Sequence, residues 1–329
     1  MPMTDFFENK KVVVTGATGL LGRHLIEGLL PMRATIRAVV HKRPFFNQDI
    51  TNFEFLKADL TEQAECDKVM SGMDIACLCA SVTVGAAQAI NNPMLAVTSN
   101  LVMAARSLQA ACLAGIKRVL LVSSTTVYPA YPRPVREEEA FIDEPHSAYQ
   151  GVGNMKRYVE SLAKFYCEKY GMKISVVRPV PFYGRFDNFD FETCHVIPAL
   201  IRKAVEQQDP FEIWSNGKEI RDFLHVSDVA RGCLLALERY PHWEGVNLGS
   251  GASVSIQQLA ETILQLSGCR SRIMFDPTKP TTIPIRVVDT NKALEKLGFK
   301  AAVGLEEGLT DTINWFKENQ LHLVKKVHT

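Results

Sequence analysis

Short β-branched runs alternate with amphipathic stretches along the first half of the chain. Lys11–Val14, Thr35–Val40, Phe53–Lys57, Asp74–Cys79, Val119–Val122 and Ile174–Val177 are apolar segments of strand length. Between most of them apolar residues recur at helical spacing. Examples are His24–Leu30, Met94–Ala114, ending at Gly115, and Lys156–Tyr170, ending at Gly171. This order predicts an α/β fold built on a doubly wound parallel sheet. After Pro179 the alternation weakens. Pro198–Glu206, Ser255–Leu266 and Leu305–Glu318 read as helical, and Phe211–Trp214 and Asp222–His225 as strand-like, with a Pro-rich stretch at Asp276–Pro284. There is no repeat, low-complexity tract or polar linker.

The strongest local signal is Gly16-Ala-Thr18-Gly19-Leu20-Leu21-Gly22, placed between the first strand and the first helix. In that context Gly16 permits a tight turn, Gly19 lets backbone approach a pyrophosphate, and Gly22 lets the helix pack close to the sheet. The reading is a Rossmann dinucleotide-binding domain over residues 1–178, with a return segment at about 222–248. Residues 179–221 and 249–329 form a smaller C-terminal substrate-binding lobe over the sheet's carboxyl edge. The second strand ends in His41-Lys42-Arg43, where an NAD-specific site usually carries an acid for the ribose hydroxyls. Three potential cations suit a 2′-phosphate, so the cofactor is NAD(P), with NADP favoured over NAD. Asp59 and Leu60 follow the third strand. Asp59 either contacts the adenine or caps the next helix.

Composition narrows the class further. A 329-residue chain that is 47% hydrophobic fills a complete core. A formal net charge of +1 and scattered basic residues argue against nucleic acid as a partner. No apolar run reaches membrane-spanning length and the N-terminus has no secretory character, so a cytoplasmic protein is expected. The eight cysteines lack a CxxC pair or a framework spacing. They read as small buried hydrophobes, not metal ligands. Cys77 and Cys79 share one strand face and belong to the core. The two long helices at Met94–Ala114 and Lys156–Tyr170 have apolar outer faces, which predicts a homodimer.

Beyond the loop, the chain resembles the extended short-chain dehydrogenase/reductase family over roughly residues 10–318, in particular its nucleotide-sugar oxidoreductases, epimerases and dehydratases. Gly16-x-x-Gly19-x-x-Gly22, Asn100, Ser123-Ser124-Thr125-Thr126-Val127-Tyr128-Pro129, Arg178-Pro, Tyr183-Gly184, Arg221 through Asp228 and Asn247 through Gly251 are similar to its segments. The second half is most similar to the GDP-fucose synthase (GDP-4-keto-6-deoxymannose epimerase/reductase) branch, through Asp187-Asn188-Phe189, Cys194 through Leu200, Trp214, Arg221 through His225 and Lys279-Pro280. The resemblance implies a GDP-linked sugar as substrate, within polysaccharide biosynthesis. It assigns the nucleotide diphosphate to Arg221, and substrate contacts to Thr125, Thr126, Asn188, His195, Arg202 and Trp214.

The same resemblance exposes a gap. The family's signature is Tyr-x-x-x-Lys, whose tyrosine exchanges a proton with the substrate oxygen and whose lysine lowers the tyrosine pKa and binds the nicotinamide ribose. Lys156 fits the lysine, but the position four residues earlier is Val152, and Tyr149 stands three residues before that. The acid pair of the family's dehydratases falls on Thr125 and Thr126, and the epimerising cysteine of GDP-fucose synthase on Thr126. His195 matches its partner histidine, and Pro181 replaces the asparagine before Tyr-Gly. The catalytic candidates are Ser124, Tyr149, Lys156 and His195. Three functions follow: an NAD(P)-dependent oxidoreductase of a nucleotide sugar acting at a ring carbon, C4 first; an epimerase passing through a transient ketone; or a silent protein that binds dinucleotide or nucleotide sugar.

Overall fold

The computed structural model describes residues 5–43, 45, 53–83, 94–279 and 283–324. The strands are β1 (Lys11–Thr15), β2 (Thr35–Val40), β3 (Phe53–Lys57), β4 (Ile75–Leu78), β5 (Arg118–Val122), β6 (Lys173–Pro179), β7 (Phe182–Tyr183), β8 (Phe211–Trp214), β9 (Ile220–Arg221), β10 (Leu224–His225), β11 (Val246–Leu248), β12 (Val254–Ser255), β13 (Ile273–Asp276) and β14 (Ile285–Arg286). The helices are α1 (Leu20–Leu29), α2 (Gln63–Met70), α3 (Met94–Leu113), α4 (Gln150–Tyr170), α5 (Val196–Val205), α6 (Val226–Arg239), α7 (Ile256–Ser267), α8 (Asn291–Leu297) and α9 (Leu305–Val324).

Seven strands form a parallel sheet in the order β11-β6-β5-β4-β1-β2-β3. The inner strands β1, β4, β5 and β6 are largely apolar and buried because helices cover both faces, whereas the edge strand β3 (Phe53-Glu-Phe-Leu-Lys57) stays partly exposed. The twofold alternation sorts them: Val12 and Val14 join α1 and α6 through Leu25, Leu29, Cys233 and Leu234. Val13 faces the other way, into α2, α3 and α4 through Val69, Leu108 and Val159. Cys77 and Cys79 both lie on the α1/α6 side, in the core. A third core, with Ile201, Leu259, Ile263, Ile313 and Phe316, holds α5, α7 and α9 together. It supports the two- and three-stranded sheets β8–β13 and β12-β9-β14.

Three boundaries differ from the sequence expectation. Helix α1 starts at Leu20, not His24, directly on the glycine loop. Helix α4 starts at Gln150, six residues before Lys156. Gly151 and Gly153 hide that start because glycine is a poor helix former. Gly153 is there for close approach: a Cβ on it would lie 2.5 Å from the Thr126 carbonyl and 2.7 Å from Pro145 Cβ. The segment Asp222–His225 is not one strand. Arg221 pairs with Arg286 in β14, while Leu224 pairs with Phe182 in β7. Between them Asp222 turns aside to accept hydrogen bonds from Ser250 N at 3.0 Å and Ser250 Oγ at 2.6 Å.

Candidate active site

All seven strands of the main sheet run the same way, so the segments after β1, β4, β5 and β6 meet at one edge. After β1, Gly16 has φ +65°, and a Cβ there would lie 2.8 Å from Ala80 Cα. A Cβ on Gly22 would strike the Gly16 carbonyl. Protein packing therefore explains both glycines. Gly19 differs: its backbone is extended (φ −80°, ψ 166°), and a Cβ would meet only Gly16 O, at 3.2 Å. Its lack of a side chain keeps space open in front of the α1 N-terminus. That helix start has no side-chain cap and no acid in its first turn, which leaves N–H donors for an anion. Thr15 Oγ1 accepts from Cys79 N (3.0 Å) and Ala80 N (3.1 Å), locking the ends of β1 and β4 together. Thr18 and Leu20 are half-buried in this loop, and Leu21 is buried.

His41, Lys42 and Arg43 are exposed at the end of β2. His41 Nε2 is 3.7 Å from Asp59 Oδ2. The Asp59 carboxylate accepts from Thr61 N (2.9 Å) and Thr61 Oγ1 (2.6 Å), and these bonds hold its pKa below the usual range. It thus shapes the turn before α2, with Leu60 buried beside it.

A cleft opens between these strand ends and α3/α4. It is lined by Thr15, Ala80, Ser81, Asn100, Val122 and Lys156. Asn100 clamps Val82 through both backbone groups, at 2.7 and 2.9 Å. Lys156 Nζ donates to Val122 O at 2.9 Å, and burial lowers its pKa. Ser124 Oγ caps the short 3-10 turn Thr125–Val127 by accepting from Thr126 N at 3.2 Å. Thr125 is buried, and Thr126 Oγ1 is buried with no hydrogen-bond partner. Val152 and Lys156 stand one turn apart on the same face of α4.

Tyr149 is not on that helix: it is the residue before it, with φ −122° and ψ 7°. Its phenol acts electrostatically on Arg221 and Arg286. Lys156 instead responds to Glu160 and Cys79. Arg221 and Arg286 are register partners on adjacent parallel strands, so their side chains share a face. Arg221 Nη1 reaches Ile220 O at 2.8 Å. Arg286 is 5% exposed and donates to Pro129 O (3.1 Å) and Tyr128 O (3.2 Å). Among the described residues no carboxylate lies within ion-pair range of it. Burial, first, and then the neighbouring Arg221 bring its pKa down to about 10.

The remaining residues lie on the lobe side. His195 precedes α5 and makes no side-chain cap; it is solvent-exposed yet ringed by protein, and that crowding lowers its pKa. Trp214 ends β8, 37% exposed, with Lys279 Nζ 6.0 Å from its ring centre. Asn188 spends its amide inside its own loop: Nδ2 donates to Thr193 Oγ1 at 2.7 Å and Oδ1 accepts from Asp190 N at 3.2 Å. Arg202 donates to Glu206 (2.7 Å) and Phe189 O (2.9 Å) and covers the Phe191 ring. Its neighbour Lys203 donates to Glu212 O at 2.9 Å and lies within electrostatic reach of Lys279 and Cys194. Lys203 and Arg286 were not singled out from the sequence. Arg286 had one signal, its place ten residues after the Asp276–Pro284 stretch begins, but only strand pairing puts it beside Arg221. Beneath the site, Arg178 bonds Glu160 at 2.6 and 3.0 Å and Tyr128 Oη at 2.9 Å, and Tyr128 donates to Asn247 at 2.6 Å. This buried network fixes the segment that carries Ser124.

The profile of the NAD dependent epimerase/dehydratase family matches residues 12–249. The chain belongs to that family. A GDP-L-fucose synthase of Sinorhizobium fredii is 30% identical over 97% of this chain and 99% of its own. A dTDP-4-dehydro-6-deoxy-D-allose reductase of a Streptomyces species is 29% identical over 95% and 98%. The solved epimerase Mth375 of Methanothermobacter thermautotrophicus superposes with a TM-score of 0.87 at 25% identity, over 98% of this chain and 96% of that one. The family's nicotinamide dinucleotide fits the residues present: the space at Gly19, the uncapped α1 and the Lys156 cleft all lie at the same strand-end edge of the sheet.

Proposed function

We propose that this family member is an NAD(P)-dependent oxidoreductase of a nucleotide-linked sugar, with a GDP-sugar favoured and a ring carbon, C4 first, as the reacting centre. The observation that carries this reading is the Arg221–Arg286 pair. Arg286 is buried beside a second guanidinium and, among the described residues, has only backbone carbonyls as acceptors, so an arriving anion would offset its charge. A diphosphate supplies two charges and several acceptors for such forks. Trp214 with Lys279 offers a face for a nucleobase, and Tyr149 closes the diphosphate end. The cations His41, Lys42 and Arg43 favour NADP over NAD.

When bound, the nicotinamide supplies the hydride chemistry. Lys156 anchors the cleft through Val122 O, and its remaining protons would hold the ribose of a bound dinucleotide. Ser124 and the unpartnered Thr126 hydroxyl orient the sugar hydroxyl. With Val152 in the tyrosine position, the proton goes to His195 or Tyr149, or to water. His195, held below its usual range, is neutral near pH 7 and accepts at a ring nitrogen.

The domain division at about residue 178, a cytoplasmic setting and a role in polysaccharide biosynthesis belong to the same reading. So does a homodimer through α3 and α4, whose surfaces expose Leu113, Tyr158, Phe165 and Tyr170. Among the described residues no helix is long and apolar enough to cross a membrane.

The test is single-turnover absorbance of the reduced nicotinamide with GDP-, UDP-, TDP- and CDP-sugars. The expected result is transfer with a GDP-sugar, and at least about tenfold weaker nucleotide-sugar binding in Arg286→Met with dinucleotide binding kept. Absence of transfer with every sugar at saturating cofactor leaves the second reading, a silent binding protein, which Val152 favours.

A further inference from the structure

A groove of about 280 Å³ lies between α1 and α6, away from the strand-end cleft. It is lined by His24, Glu27, Gly28, Arg185, Ser227, Ala230, Arg231 and Leu234. Two buried polar atoms of its lining residues lack a hydrogen bond, His24 Nε2 and Arg185 Nε, and a third, His225 Nε2, lies just behind the lining, on the residue that is hydrogen-bonded to Ser227. Buried polar atoms without partners are uncommon, and several in one place point to missing polar matter.

The chemistry of that matter follows from the donors and acceptors. His24 is 4% exposed, and its Nδ1 lies 2.8 Å from Leu20 O. A carbonyl only accepts, so Nδ1 carries the hydrogen. Burial, first, lowers the His24 pKa to about 4, so the ring is neutral and Nε2 presents a lone pair. That atom needs a donor. Arg185 can take a further acceptor. Its Nη2 is 3.7 Å from Glu27 Oε2 and its Nε 3.5 Å from Asp311 Oδ2, ion pairs that leave Nε without a hydrogen bond. His225 Nε2 is 3.7 Å from the same Asp311, with Nδ1 on Ser227 Oγ at 2.7 Å. Arg231 is already neutralised by Asp228 at 2.6 Å. The other charges around the groove are two cations, Arg185 and Arg23, and two anions, Glu27 and Asp311. An anionic ligand meets two carboxylates and a lone pair. A cationic one meets two guanidinium groups. A hydroxyl group donates to His24 and Glu27 and accepts from Arg185.

We propose that this groove is a second ligand site, selective for a small neutral polyhydroxylated molecule. Its occupant touches α1, which opens at the dinucleotide loop, and Arg185, three residues before Asn188. It is thus placed to link the cofactor helix with the β7–α5 loop.

The experiment uses the full chain with ¹⁵N-labelled histidine and follows the imidazole resonances. The probes are myo-inositol and xylitol, with lactate and putrescine as charged controls. Saturable movement of the His24 Nε2 signal is expected with both polyols in the millimolar range, about fivefold weaker or more for the charged pair. Glu27→Gln, at a half-exposed position, should weaken the polyol response about threefold or more while leaving the other histidine signals in place. A groove that holds only water gives no saturable shift up to about 100 mM, and that result overturns the proposal. So does an equal response to lactate or putrescine, or a polyol response that Glu27→Gln leaves unchanged.

Discussion

Asp187 is buried, and its Oδ2 has no hydrogen-bond partner; only Oδ1 is served, by Asn188 N at 2.7 Å. Burial outweighs that one bond and raises its pKa from 3.8 to about 7. In the fold the carboxyl therefore keeps its proton up to about pH 7, while the unfolded chain releases it near 3.8. The unfolded state binds fewer protons between those values, so this group's contribution falls as pH rises through the window and is flat above it. Each pH unit is worth about 1.4 kcal/mol, and a rise from pH 5 to pH 8 crosses roughly two effective units. The wild type should lose about 2–3 kcal/mol across that interval relative to Asp187→Asn. The asparagine keeps an acceptor for Asn188 N and cannot ionise. Urea unfolding of both proteins at pH 5, 6, 7 and 8 reads the difference directly, because all other titrations cancel. Parallel stability curves would falsify the account. A ¹³C-carboxyl titration of Asp187 near 4 in the wild type would do the same if the variant folds poorly.

Gly19→Val should fold, since its Cβ meets only one carbonyl at 3.2 Å, yet lose NAD(P) binding in calorimetry; unchanged affinity would reject the phosphate cradle. Glu160→Gln leaves Arg178 buried without its charge partner and should cost about 3–5 kcal/mol in denaturant unfolding, whereas a loss below about 1 kcal/mol would show that the network is not electrostatically coupled. Val152→Tyr places a phenol one turn from Lys156 and should move the pH profile of single-turnover hydride transfer toward neutrality, with no shift counting against Val152 as the tyrosine position. Tyr149→Phe should raise nucleotide-sugar KM more than it lowers kcat; a kcat loss of about 10²-fold at constant KM would restore Tyr149 as the proton donor.

The parallel sheet was legible because strands buried on both faces need apolar runs, and Lys11–Thr15, Ile75–Leu78, Arg118–Val122 and Lys173–Pro179 show them. The glycine loop was legible for a steric reason: Gly16 and Gly22 admit no Cβ. The start of α4 was not, because its first turns contain two glycines whose neighbours, Val97 Cγ2 for Gly151 and the Thr126 carbonyl for Gly153, are remote in sequence. Arg286 was invisible for a related reason. Its meaning comes from pairing with Arg221, 65 residues earlier, and no local pattern encodes that. Asn188 and Arg202, expected from motif position to contact substrate, have their side chains engaged by Thr193 and Asp190 and by Glu206 and Phe189 O, respectively.

The distribution of what is kept and what is changed has a physical logic. Lys156 is tied to the fold by Val122 O, and Ser124 by its turn, so both are held whether or not a tyrosine stands beside them. Glu160, Arg178, Tyr128 and Asn247 form a buried network in which any single loss strands a polar partner. The tyrosine position has no such ties: Val152 is half-buried against apolar neighbours, and exchanging a phenol there strands nothing. With Val152 read as the tyrosine position, the proton-transfer group can change at little cost to the scaffold. Arg286 differs: it is buried, its guanidinium donates to the Pro129 and Tyr128 carbonyls, and among the described residues no carboxylate is in ion-pair range, so an anion would offset its charge. Under the proposed function, diphosphate binding therefore rests on Arg286, while the acid/base chemistry is open to reassignment.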